Sequence, residues 1–140
     1  MEYLVELGKN AKKALKDIRK ISTLEKNKIL NLLVEAIDKH SNEIIEENKI
    51  DLKNAHENGI KKNLIDRLTL TEKTLDSIKL SLNQISNLAD PIGEMISMKT
   101  LENGLIVGQK RVGIGVIGVI YEARPNVTVD VFALCLKASS

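Results

Sequence analysis

The chain has 140 residues, which is enough for one domain with its own hydrophobic core. Its 21 basic and 19 acidic residues are well mixed and only 2% of residues are aromatic, which excludes a nucleic-acid surface of clustered Lys and Arg or stacking rings. The single cysteine allows no intramolecular disulfide, and no apolar run reaches the roughly 18 residues of a membrane span. We therefore expect a cytoplasmic protein with neither nucleic-acid nor membrane partners.

Apolar residues recur at helical spacing through the first part of the chain, which predicts an N-terminal helical layer over residues 1–90. One helix of this layer is predicted from a single apolar stripe, Leu75, Ile78, Leu82 and Ile85. Two stretches match the capping box of a helix N-terminus, Ser22–Glu25 and Thr69–Glu72, with the Ser and the first Thr as the expected caps. Another helix is expected to begin near Ser41 or Asn42, either of which can cap it. The interleaved Lys and Glu residues are typical of solvated helix faces.

Residues 91–140 follow shorter periods and predict a β-containing part of the chain. Asn103-Gly104 between two strand-like runs predicts a β-hairpin. The apolar, β-branched run 112–120 predicts a buried strand, and the apolar run 127–136 predicts a helix after a polar loop. Strand, loop and helix in this order form the first half of a parallel βαβ unit, whose ligands bind at the loop beyond the strand. The fold class is therefore α/β, and residues 91–140 hold the hairpin and an incomplete cofactor-binding α/β domain.

The glycines of this segment match a dinucleotide-binding fingerprint by letter. Gly113, Gly115 and Gly118 have the spacing G-x-G-x-x-G. That fingerprint requires a helix that opens at the glycines, so that its amides meet the pyrophosphate. Here β-branched residues separate the glycines and follow them, which places the glycines at the entrance to a strand or within it. We interpret the match as a false positive.

A family resemblance is carried by Gly115–Asp130, which includes the run Tyr-Glu-Ala-Arg-Pro-Asn-Val-Thr. This segment resembles the signature of γ-glutamyl phosphate reductases, also called glutamate-5-semialdehyde dehydrogenases, of the aldehyde dehydrogenase superfamily. The resemblance extends upstream through Ile65–Leu68, Asp90–Glu94 and Asn103–Leu105, and so covers nearly the whole chain. It implies a truncated aldehyde-dehydrogenase-like fold, of which this chain is the N-terminal portion.

The resemblance also implies an activity for the complete enzyme. Members of the family reduce the small molecule L-glutamate 5-phosphate to L-glutamate 5-semialdehyde with NADPH, a step of proline biosynthesis. We expect the complete enzyme to be a homo-oligomer, and we expect this chain alone to be inactive because the family's nucleophilic cysteine lies far downstream. The alternative is a non-catalytic N-terminal fragment or a helical interaction module.

The candidate site residues lie on the polar loop and at the start of the helix after it. The resemblance aligns Asn126 with an Asn whose side-chain N–H faces the developing oxyanion, whereas from the residues alone a helix cap is the stronger interpretation. Arg124 is a candidate for binding the anionic substrate, since guanidinium matches carboxylate and phosphate, and its alternative is a surface pair with Glu122. The resemblance places Glu122, Ala123 and Pro125 in contact with the cofactor.

The remaining residues with reactive side chains have ordinary interpretations. Cys135 lies in a mostly apolar helix with no adjacent His, which is typical of a small core residue rather than a nucleophile. His40 and His56 belong to no metal-binding pattern and are expected at the surface. We therefore predict no metal site.

Overall fold

The computed structural model describes residues 2–122 and 124–140. This part of the chain has six α-helices and two β-strands, in the order α1 (Glu2–Ile18), α2 (Thr23–Lys39), α3 (Ser41–Glu57), α4 (Lys62–Leu68), α5 (Glu72–Asn87), β1 (Met95–Thr100), β2 (Ile106–Lys110) and α6 (Pro125–Lys137). The predicted helical layer and hairpin are confirmed. No helix in the described ranges is both long and apolar enough to cross a membrane.

The core lies between α2, α5 and α6. The apolar stripe predicted for α5 is fully buried, since its members repeat every three or four residues and so share one helix face: Leu75, Ile78, Leu82 and Ile85. Leu30 of α2 and Ala133 of α6 pack against this stripe and are completely buried. Burial of one such Leu or Ile side chain is worth about 1.5–3 kcal/mol. The α6 helix is thus held against the N-terminal helices.

Of the predicted helix caps, one is confirmed and two are wrong. Ser22 forms the predicted capping box with Glu25. Thr69 is not the N-cap of a helix but the C-cap of α4, where its hydroxyl donates to the Ile65 carbonyl. The N-cap of α5 is Thr71 instead. Neither Ser41 nor Asn42 caps α3, because α2 and α3 share His40 as their boundary and Ser41 is already helical.

The hairpin pairs β1 with β2 in antiparallel register, from Met95 opposite Lys110 to Thr100 opposite Ile106. Its turn contains the predicted Asn103-Gly104, and Gly104 has the positive φ of 82° that such turns require. Every residue of both strands is exposed. The hairpin is therefore formed by its own hydrogen bonds and turn rather than by burial.

The strand predicted at residues 112–120 is wrong. The described structure assigns no strand there, and the segment is not buried, since Ile114 is 88% exposed. A strand forms only where a neighbouring strand completes its hydrogen bonds, and β1 and β2 already pair with each other. The start of the segment instead lies against the end of α6, where the Ile114 amide donates to the Ser140 hydroxyl at 3.1 Å. Gly113 permits this approach, because a Cβ there would lie 2.3 Å from the Ser139 carbonyl oxygen.

Candidate active site

The N-terminus of α6 is defined by the sequence Arg124-Pro125. Pro125 occupies the first helical position. Its fixed φ suits a helix there, and the N–H that it lacks would have no partner within the helix. Arg124 is the N-cap, with φ −136° and ψ 92°, as expected for a residue that a following Pro keeps out of the α region. Asn126 consequently lies inside the first turn. Its interpretation as a helix cap is wrong, because the cap position belongs to Arg124. No helix begins in the Gly113–Gly118 run, but the predicted placement of its glycines at or within a strand is wrong, because no strand is assigned there.

The Asn126 side chain has one well-defined partner. Its Nδ2 donates a hydrogen bond of 3.0 Å to Oδ2 of Asp130, one turn further along α6. An Asn amide carries two hydrogens on Nδ2, so a second N–H remains for a ligand. Asn126 and Asp130 border a cleft of about 90 Å³, which Thr74, Ser77 and Ser81 of α5 complete. This end of α6 therefore presents an amide donor beside a small polar cleft.

The polar loop before α6 is tied to the helix by a hydrogen bond between the Tyr121 and Thr128 hydroxyls. Glu122 and Arg124 are both exposed, and the ion pairs of residues 2–122 and 124–140 do not include one between them. The alternative interpretation of Arg124, a surface pair with Glu122, is not formed among the described residues. Pro125 is half-buried, while Ala123 lies outside the described residues.

Cys135 is half-buried and borders an apolar cleft of about 250 Å³, with Ala14 of α1 and Phe132 among its neighbours. It follows Asn126 by nine residues, which is 2.5 helical turns. The two residues therefore lie about 14 Å apart along the axis and on opposite faces of α6. An oxyanion donor must lie about 2.7–3.1 Å from the oxygen of the carbonyl under attack. The Cys135 thiol and the Asn126 amide therefore lie on different sides of the helix and cannot act on the same carbonyl group.

Both histidines lie at the surface, as predicted. His40 and His56 are exposed. His40 contacts Glu43 through Nδ1 at 2.8 Å, an interaction within one helical turn. No group of three or more His, Cys, Asp or Glu in the described parts of the chain has an arrangement that suits a metal ion.

A buried charged cluster between α2, α6 and the end of α5 was missed by the sequence interpretation, which placed the lysines on solvated faces. Lys26 is only 1% exposed, and its Nζ donates to Oδ2 of Asp90 at 2.8 Å and to the Lys137 carbonyl at 3.1 Å. Burial acts to raise the pKa of Asp90, but hydrogen bonds from Lys26, the Ile92 amide and Thr23 outweigh it and hold that pKa below its usual value.

Lys137 is the second buried lysine of the cluster. Its Nζ donates to Oδ1 of Asn27 at 2.7 Å and to the Ser86 carbonyl at 2.9 Å, both neutral acceptors. Burial lowers the pKa of Lys137, and the nearby positive charge of Lys26 lowers it further against the opposing effect of Asp90. The sequence did contain a signal for Lys26, which precedes Leu30 by four residues and so lies on the apolar stripe of α2.

This arrangement of a helical layer, an antiparallel hairpin and a polar loop that leads into a helix is consistent with the N-terminal region of an aldehyde-dehydrogenase-like fold. No protein-family model matches the chain. The γ-glutamyl phosphate reductase of Thermodesulfovibrio yellowstonii is 49% identical over 139 residues, which is 99% of this chain and 33% of that protein. The resemblance read from the sequence is thus confirmed, and the chain is similar to the N-terminal portion of γ-glutamyl phosphate reductases.

Solved structures agree with this comparison. The crystal structure of γ-glutamyl phosphate reductase from Thermotoga maritima matches with a TM-score of 0.93 at 41% identity, over 97% of this chain and 33% of that one. The Saccharomyces cerevisiae enzyme matches with a TM-score of 0.91 at 32% identity, over 96% of this chain and 34% of that one. The chain spans about a third of the length of these relatives.

Proposed function

We propose that this chain is part of a γ-glutamyl phosphate reductase whose complete form reduces L-glutamate 5-phosphate to L-glutamate 5-semialdehyde with NADPH, in proline biosynthesis. The observation that carries the proposal is the 49% identity to such a reductase over 139 residues, which extends through the polar loop and α6. The complete enzyme is proposed to be a homo-oligomer.

Asn126 is proposed to stabilise the oxyanion of this reaction. When a thiolate attacks the acyl phosphate, the carbonyl oxygen takes up negative charge and phosphate then leaves, which gives a thioester. The second N–H of the Asn126 amide suits that oxygen, because the first is already bonded to Asp130. A fixed donor of this kind is worth about 2.7–4 kcal/mol in other acyl-transfer enzymes.

The polar loop supplies the other proposed contacts. The exposed Arg124 presents a guanidinium that fits the phosphate or carboxylate of the substrate. Glu122, Ala123 and Pro125 are proposed to contact the cofactor, and the Glu122 side chain is exposed where it can do so. Bound NADPH supplies the hydride that reduces the thioester.

The nucleophile is proposed to come from outside these 140 residues. Cys135 is the single cysteine of the sequence, and it lies on the face of α6 opposite Asn126. One oxyanion cannot be bonded to Asn126 while its carbon is attacked by Cys135. The 140-residue chain by itself is therefore proposed to be inactive.

The rival proposal is a helical interaction module without activity. One observation favours it: α1 exposes apolar side chains near its N-terminus, with Leu4 67% and Leu7 53% exposed. An amphipathic helix with an uncovered apolar face is a common binding element. The rival proposal predicts no turnover, so enzyme kinetics distinguish it from the reductase.

The deciding experiment is the reverse reaction of a full-length protein that carries this segment. Glutamate 5-semialdehyde, NADP⁺ and phosphate should yield glutamyl phosphate, NADPH and a proton. We expect NADP⁺ reduction to require phosphate, because phosphate must cleave the thioester. Equal rates without phosphate would indicate ordinary aldehyde oxidation by water, and no turnover under either condition would favour the interaction module. Either result contradicts the proposal.

A further inference from the structure

We propose that Asp130 is a positioning residue, which orients the Asn126 amide so that an N–H rather than the carbonyl oxygen faces the oxyanion. This inference rests on the proposed function, in which Asn126 is the oxyanion donor. It assigns a role in the reaction to a carboxylate that itself touches neither the substrate nor the cofactor.

The orientation follows from hydrogen-bond chemistry. An amide group can rotate by half a turn about its last side-chain bond, which exchanges Nδ2 and Oδ1 at nearly equal fit. An ionised carboxylate only accepts hydrogen bonds, so Oδ2 of Asp130, at 3.0 Å, selects the rotamer with Nδ2 toward it. The flipped amide would place two oxygens against each other. Asp130 therefore fixes which end of the amide occupies each position.

The location of Asp130 on α6 favours this contact. Asp130 is half-buried and sits four residues after Asn126, so both side chains lie on one face of α6. The facing α5 hydroxyl of Ser77 donates to the Lys73 carbonyl of its own helix. Asp130 is the hydrogen-bond partner of the Asn126 side chain among the described residues. The hydroxyls of Tyr121 in the loop and Thr128 in α6 bond to each other.

Steady-state kinetics of a full-length reductase carrying this segment test the proposal. Asp130→Ala should lower kcat by about 10–100-fold, as loss of an outer-shell partner commonly does at metal ligands, and leave KM nearly unchanged. Asp130→Asn should recover part of kcat, because its amide oxygen can still accept from Nδ2. Glu57→Ala is the matched control, since it removes another i,i+4 carboxylate contact, with Lys53 on α3. It should leave kcat at the wild-type value.

The double variant separates positioning from a direct effect. If Asp130 acts only through Asn126, Asn126→Ala/Asp130→Ala should be no slower than Asn126→Ala alone. A double variant slower by the product of the two single losses would overturn the proposal. A wild-type kcat in Asp130→Ala, with a lowered kcat in Asn126→Ala, would also overturn the proposal. That result would leave the proposed function intact. A wild-type kcat in Asn126→Ala would instead refute the oxyanion role. Should Asp130→Ala fail to fold, Asp130→Ser, whose hydroxyl is too short for this contact, decides by the same kcat criterion.

Discussion

Substitution of Lys26 by Met tests whether the buried charged cluster holds the helical layer together. Met nearly matches the volume of the Lys side chain but removes the ammonium group. The change leaves Oδ2 of Asp90 without its 2.8 Å ion pair, at a side chain that is only 9% exposed. It also removes the 3.1 Å hydrogen bond to the Lys137 carbonyl. Two buried acceptors therefore lose their donor while the core keeps its packing.

The expected loss follows from what Asp90 retains. Removing one partner of a buried ion pair costs about 3–5 kcal/mol, because the remaining charge is left uncompensated. Asp90 keeps hydrogen bonds from the Thr23 hydroxyl and the Ile92 amide and is still attracted by the nearby Lys137, which places the charge term at the lower limit. The unpaired Lys137 carbonyl adds about 1–3 kcal/mol. We expect Lys26→Met to lower the free energy of unfolding by about 4 kcal/mol in total.

The assay is urea unfolding followed by helical circular dichroism, with Lys49→Met as the control. Lys49 forms a 2.6 Å pair with Glu46, but both side chains are more than half exposed. Solvent screening makes such pairs weak, so the control should change stability far less. Lys26→Met combined with Asp90→Asn should regain part of the loss, because the orphaned charge is gone. Equal stability of Lys26→Met and Lys49→Met would refute the argument from burial.

Three further outcomes are expected. The folded-state pKa of Asp90 lies below its ordinary 3.8, so its contribution to stability is present above that value and is lost as pH falls through the folded pKa. The free energy of unfolding should therefore fall less steeply with decreasing pH in Asp90→Asn than in the wild type, and identical slopes would contradict this. In a full-length reductase whose only cysteines are Cys135 and the nucleophile, alkylation of Cys135 should leave labelling of the nucleophile unaffected. Competition between the two thiols for the reagent would contradict the interpretation of Cys135 as a core residue. The exposed apolar residues 112–120 should make the isolated chain self-associate in sedimentation velocity, and a strict monomer would contradict this.

The features that the sequence predicted correctly are local ones. The stripe of α5 repeats at helical spacing within one element, and Asn103-Gly104 closes a hairpin between neighbouring strands. The capping box of Ser22 likewise involves residues three apart. Each depends on a few consecutive residues, so the pattern alone contains the information.

The errors concern interactions between distant parts of the chain. The strand expected at 112–120 requires a partner strand, and β-propensity alone cannot supply one. Lys26 and Asp90 lie 64 residues apart in sequence, so their pairing is set by tertiary packing. At the candidate site, the resemblance pointed to Asn126 but not to its hydrogen-bond partner Asp130, because the cap interpretation placed Asn126 at the N-cap, two positions before its place in the helix. The Arg124-Pro125 pair was the local signal that fixes the helix start.

The most direct test of the central claim is kcat of the Asn126→Ala variant in a full-length reductase that carries this segment. Ala is a favourable residue within the first helical turn, so α6 should persist and any loss of rate should come from the missing amide. We predict that kcat falls by about 10²–10³-fold while KM changes little, since the lost hydrogen bond is stronger in the transition state than in the ground state. A kcat within a few-fold of the wild type, in a protein that retains its thermal stability, would contradict the assignment of Asn126 as the oxyanion donor.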